Sequence, residues 1–68
     1  MALSQGDRVS WNTPQGVTHG VVVDTRTKDF QLAGQHFTAS EDEPMHIVES
    51  EKSEKRAAHR PEALTKEG

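Results

Sequence analysis

Cysteine is absent from the 68 residues, so neither a disulfide nor a thiolate zinc site can support so small a fold. Aromatic residues are scarce: one tryptophan, two phenylalanines and no tyrosine. No apolar run approaches the roughly 18 residues of a membrane span, and the opening Met1 to Gly6 has neither a basic start nor a signal-like apolar stretch. A cytoplasmic protein without membrane contact is the resulting expectation. An excess of either charge is missing too, since eleven acids against eight bases leave −3. That balance argues against a coat for nucleic acid, which requires a strong positive surplus. No glycine-rich phosphate loop occurs, and no serine sits in a nucleophile-elbow context. The expectation is a protein that is not an enzyme and needs no cofactor.

What remains is a short chain rich in valine. Chains of this length bury only about 60% of the surface that they expose when unfolded, which allows one domain and a thin core. Six valines favour a pleated, half-buried setting. Turn signals recur about every eight to twelve residues, as in small all-β domains. Val9 and Trp11 share one face of a first strand, and Asn12 to Gly16 is a turn. Val17 to Thr25 reads as the longest strand, with Gly20 predicted as a bulge or bend.

The spacing next predicts a hairpin with Ala33-Gly34 at its turn, which sets Phe30 opposite Phe37 and Leu32 opposite Gln35. Glu41 to Pro44 is a loop or single helical turn. Met45 to Glu49 is a strand with Ile47 inward, Glu51 to Glu54 a polar turn, and Lys55 to His59 a last strand. Pro61 to Leu64 is a single helical turn whose Leu64 plugs the core. The predicted architecture is a small SH3-like barrel of five to six short antiparallel strands over residues 6–65. Residues 1–5 are expected to be flexible and residues 66–68 to fray.

Several of these segments together resemble one known family. They are Gly6 to Trp11, Gly20 to Val23, the acidic Ala39 to Pro44, and Ala57 to Leu64. In them the chain is similar to the hypervirulence-associated Tudor-domain family, a set of short bacterial and fungal proteins. The resemblance implies a Tudor-like, SH3-like barrel and no particular activity. In that family the turn before the last strand commonly ends in glycine, where this chain has Glu54. A side chain at positive φ is strained, so a longer or more mobile turn is expected here.

Candidate site residues follow from the charged segments and the few rings. Methyl-lysine readers hold their cation in a cage of aromatic rings, but Trp11, Phe30 and Phe37 are nearly all the large aromatic mass available to the core. They are assigned to the core. Lys55, Arg56, His59 and Arg60 form the densest basic cluster. With Trp11 they are the candidate ligand-binding residues, although Glu49, Glu51, Glu54 and Glu62 lie close by in sequence. Glu41, Asp42, Glu43 and His46 lack the spacing of a calcium loop, so no metal site is assigned. Asp42 and Glu43 are instead expected to tie the acidic loop to Arg60.

The function expected is a monomeric, non-catalytic binding or accessory module engaging a protein or peptide surface. The alternatives are an anion binder, taking nucleic acid or a phosphorylated nucleotide such as a nicotinamide dinucleotide through Lys55 to Arg60, and a structural stress-related protein without a specific ligand.

Overall fold

In the computed structural model, which describes residues 3–32 and 34–67, seven strands and one 3-10 turn follow the chain. The strands are β1 (Arg8–Thr13), β2 (Gly16–Arg26), β3 (Phe30–Leu32), β4 (Gln35–Phe37), β5 (Met45–Ser50), β6 (Arg56–His59) and β7 (Thr65–Glu67). The turn Pro61–Ala63 precedes β7. Five strands form one sheet in the order β6-β5-β2-β1-β7, and β3 and β4 form a separate hairpin. The fold is all-β and antiparallel, as the strand spacing and the family resemblance imply. It is an open barrel, because β6 and β7 remain edges of the sheet.

The strand β2 makes this curvature possible by serving two partners. Its first part pairs with β1 and its second with β5, the two ladders overlapping from Gly20 to Val21. The β2–β5 register slips between Val22 and Asp24, so the bulge lies at Val23 and not at Gly20. Gly20 has another task. A methyl group there would meet the Glu49 carbonyl oxygen at 2.1 Å and the Trp11 ring at 2.8 Å. Its missing side chain lets β5 and the indole come together.

Val9, Trp11, Val22, Val48 and Leu64 form the buried cluster, with Leu3 and Ala57 packed on its border. Alternation along β1 and β2 explains the membership, since Val9 with Trp11 and Gly20 with Val22 point the same way. On β5 it is Val48 that joins the cluster. Ile47, expected inward, is buried outside it. Leu64 enters from the end of the 3-10 turn, where its N–H donates to the Pro61 carbonyl at 3.1 Å.

Phe30 and Phe37 are opposed across the β3–β4 hairpin in the predicted register, yet they stand outside the core. Each is half-buried, and their rings stack on each other at 5.4 Å with the Arg26 guanidinium 5.8 Å above Phe30. Two three-residue strands that pair only with each other keep their ring pair to themselves. Of the predicted hairpin turn Ala33-Gly34, Ala33 lies outside the described residues, and Gly34 has φ +79.

The described residues at the chain ends make defined contacts. Leu3 borders the core, and the Asp7 carboxylate accepts the Ser4 N–H at 2.8 Å. Met1, Ala2 and Gly68 lie outside the described residues. Lys66 and Glu67, predicted to fray, pair in β7 with Val9 and Arg8. The pairing satisfies part of the β1 edge that β2 leaves open. The turn between β5 and β6 closes by Glu54 N–H to the Ser50 carbonyl at 2.9 Å and Ser50 N–H to the Lys55 carbonyl at 3.0 Å. Glu54 itself sits at φ +56, the one non-glycine residue with positive φ among those described. The side chain takes the left-handed position that glycine normally fills at such a turn end.

A cleft at the open seam

The last positions of β1 lie where the barrel fails to close. β7 covers only Arg8, Val9 and Ser10 of β1, so Trp11 to Thr13 have no ladder partner on that edge among the described residues. β6 pairs with β5 alone. In a flat sheet β1 and β6 would lie three strand spacings of ~4.8 Å apart. The sheet curls instead, bringing the rings of Trp11 and His59 to 5.5 Å between centroids.

At one end of this seam is a cleft of about 310 Å³. Trp11, Thr13, Pro14 and Gln15 line one side, Thr18 and Ser50 contribute to its lining, and Ser53, Lys55, Arg56 and Ala57 complete it. Two tight turns frame it. In the first, the Thr13 hydroxyl donates to the Gly16 carbonyl at 2.8 Å and accepts the Gln15 N–H at 3.2 Å. In the second, the Ser50 hydroxyl accepts the Lys52 N–H at 3.3 Å. A second depression of about 390 Å³ continues past Thr13, Gln15 and Thr18 toward Val17, His19, Glu51 and Lys52. Val17 is 60% exposed, the one large apolar side chain so exposed among the described residues.

The basic residues from Lys55 to Arg60 do not form one patch. Lys55 and Arg56 line the cleft, with the Arg56 Nε 3.3 Å from Glu49 Oε1. His59 is turned inward against Trp11, and burial pushes its pKa below the ordinary 6.5. Arg60 lies beyond the end of β6, donating from Nη1 to the Glu43 carbonyl at 2.7 Å and from Nη2 to the Thr38 carbonyl at 3.2 Å. A Glu43 carboxylate oxygen is 3.7 Å from the same guanidinium. Asp42 makes no ion pair with Arg60 among the described residues, although the two share a shallow hollow with Pro44 and Pro61. Arg60 thus holds the acidic loop through Glu43 and the chain just before it through the Thr38 carbonyl, contacts that residue spacing gave no means of anticipating.

The remaining candidates are scattered. The aromatic contacts among the described residues are Trp11 with His59 and Phe30 with Phe37, so the three rings do not converge into a cage. His46 is buried on β5, with its Nδ1 2.9 Å from the Thr25 hydroxyl and its Nε2 without a partner. That position separates it from the exposed Glu41, Asp42 and Glu43. Among the described residues no three histidine or acidic side chains gather as metal ligands. Among the described residues no helix is long and apolar enough to cross a membrane.

The family model for the Tudor domain of hypervirulence-associated proteins matches residues 6–64. The chain belongs to that family. Searches of curated proteins and of solved structures returned no significant match. The matched span runs from Gly6 through Leu64, and so takes in β1 to β6, the 3-10 turn and the last core residue. A Tudor-like fold is that of a small binding module, and the cleft at its seam brings a ring, hydroxyls and cations together.

Proposed function

We propose that this Tudor-like chain is a monomeric, non-catalytic module that takes a segment of a partner protein or peptide in the cleft at the open seam. The observation that carries the reading is the cleft itself, with Trp11 set among hydroxyl and cationic side chains. An apolar surface with a few fixed polar groups around it is the usual composition of a recognition site. The non-catalytic part of the reading is supported by membership of a Tudor-domain family. The anion-binding alternative is the weaker, since it draws on four cationic residues of which His59 and Arg60 are turned elsewhere. The family assignment fits a cytoplasmic module but is not the basis for one.

Ser53 is exposed in the turn at the cleft, so Ser53→Trp should fill the site without disturbing the core. A library of capped octapeptides screened by amide chemical shifts should yield binders that move Trp11, Thr13 and Ala57. Those shifts should disappear in S53W. Binders that map to another face, or that bind S53W undiminished, would overturn the assignment.

A further inference from the structure

Resting on the peptide reading of the seam, we infer that the occupant is an extended, acidic segment of a partner protein, added as a strand along the free edge of β6. Two observations carry this. The first is the edge. Among the described residues β6 is the last strand of the sheet and pairs only with β5, through Arg56 to His59. Its outer N–H and C=O groups therefore face the seam, opposite the part of β1 that β7 does not reach. An unpaired edge beside a side-chain pocket is the geometry used by proteins that bind peptides by strand addition.

The second observation is charge. The chain as a whole carries −3, yet the charged side chains lining the cleft are Lys55 and Arg56, with no carboxylate among them. Arg56 is paired with Glu49 at 3.3 Å, and the adjoining depression holds Lys52 together with Glu51, itself paired with Arg8. Neither lysine has an ion-pair partner among the described residues, whereas Arg8 pairs with Glu51 and Lys66 with Asp7. An extended peptide turns alternate side chains to opposite sides, so when its backbone pairs with β6 the acids of one side can meet Lys55 at the cleft. Nucleic acid fits less well. It requires several phosphate contacts, whereas the cleft offers Lys55 and an Arg56 already paired with Glu49.

The test uses the full chain and four probes at low salt: capped octapeptides alternating valine with glutamate, with lysine or with threonine, and single-stranded oligothymidine. The glutamate peptide should shift the amides of Arg56 to His59 and slow hydrogen exchange at Arg56 and Ala58, whose N–H groups point away from β5 in the observed register. It should bind about tenfold tighter than the threonine peptide, the sum expected for two or three exposed charge pairs. Lys55→Glu, at an exposed position, should abolish that preference and admit the lysine peptide. Equal binding of the three peptides would overturn the acidic selectivity and leave the peptide reading standing. Glutamate-peptide shifts in the cleft without protection of β6 amides would overturn strand addition. Shifts in the seam from oligothymidine alone would overturn both this inference and the peptide reading.

Discussion

Replacing Glu54 by glycine should stabilise the protein. Glu54 lies at φ +56 at the end of the β5–β6 turn, where its Cβ crowds the backbone and disfavours the conformation by about 1–2 kcal/mol. Removing that crowding is partly offset by the extra freedom glycine brings to the unfolded chain, about 0.5–1 kcal/mol. A net gain of about 0.5–1 kcal/mol remains. With an unfolding entropy near 2.1 cal/mol/K per residue, 68 residues convert that gain into a Tm higher by about 3–7 °C. Thermal unfolding followed by far-UV circular dichroism and by the fluorescence of the single tryptophan measures it, and coincidence of the two probes checks that unfolding is two-state. Glu54→Ala is the control. It removes the carboxylate from a neighbourhood holding Glu49 and Glu51 but keeps the Cβ, so its Tm should stay within about 3 °C of the parent. If E54G melts at or below the parent, the backbone argument is wrong. If E54A rises as far as E54G, charge is the cause and φ is not.

Gly20→Ala should destabilise the fold by about 1–3 kcal/mol, the usual range for overpacking, because the added methyl would collide with the Glu49 carbonyl and the Trp11 ring; an unchanged urea midpoint would contradict the tight approach of β5 to the indole. Stability should also fall as the solution is acidified below pH 6.5. His46 and His59, opposed across β5 and β6, both have their pKa lowered by burial. Above 6.5 folded and unfolded chains are alike neutral at these sites; below it the unfolded chain takes up protons first, and stability is lost until the lower folded values are passed. The slope reaches at most about 1.4 kcal/mol per pH unit for each histidine. Urea midpoints between pH 7.5 and 5.5, where carboxylates titrate little, should drop in the parent and level off in His46→Gln/His59→Gln.

Much of the local architecture was legible in the residues. Alternation paired Val9 with Trp11, the Phe30 to Phe37 register was correct, and proline at Pro61 marked a helical turn that delivers Leu64 to the core. The misreadings share a cause. A glycine inside a strand signals either a bulge or a close backbone approach, and at Gly20 only the neighbouring strands decide which. Opposed phenylalanines predict a hairpin face but not what covers it, so their place outside the core was invisible. Lys55, Arg56, His59 and Arg60 are neighbours in sequence, yet strand alternation and the end of β6 send them to the cleft, the indole and the acidic loop.

The scarcity of cysteine, aromatics and net charge determined a good deal by itself. It left a single small all-β domain with neither disulfides nor a thiolate metal site to hold it, and its motifs carried the family. Where the barrel stays open is a different kind of fact. It depends on β7 reaching only three residues of β1 and on β2 carrying two ladders that overlap at Gly20 and Val21. Those are long-range pairings whose geometry no local pattern contains. They turn a thin core, in which even Trp11 is needed for packing, into a fold with a cleft beside that residue.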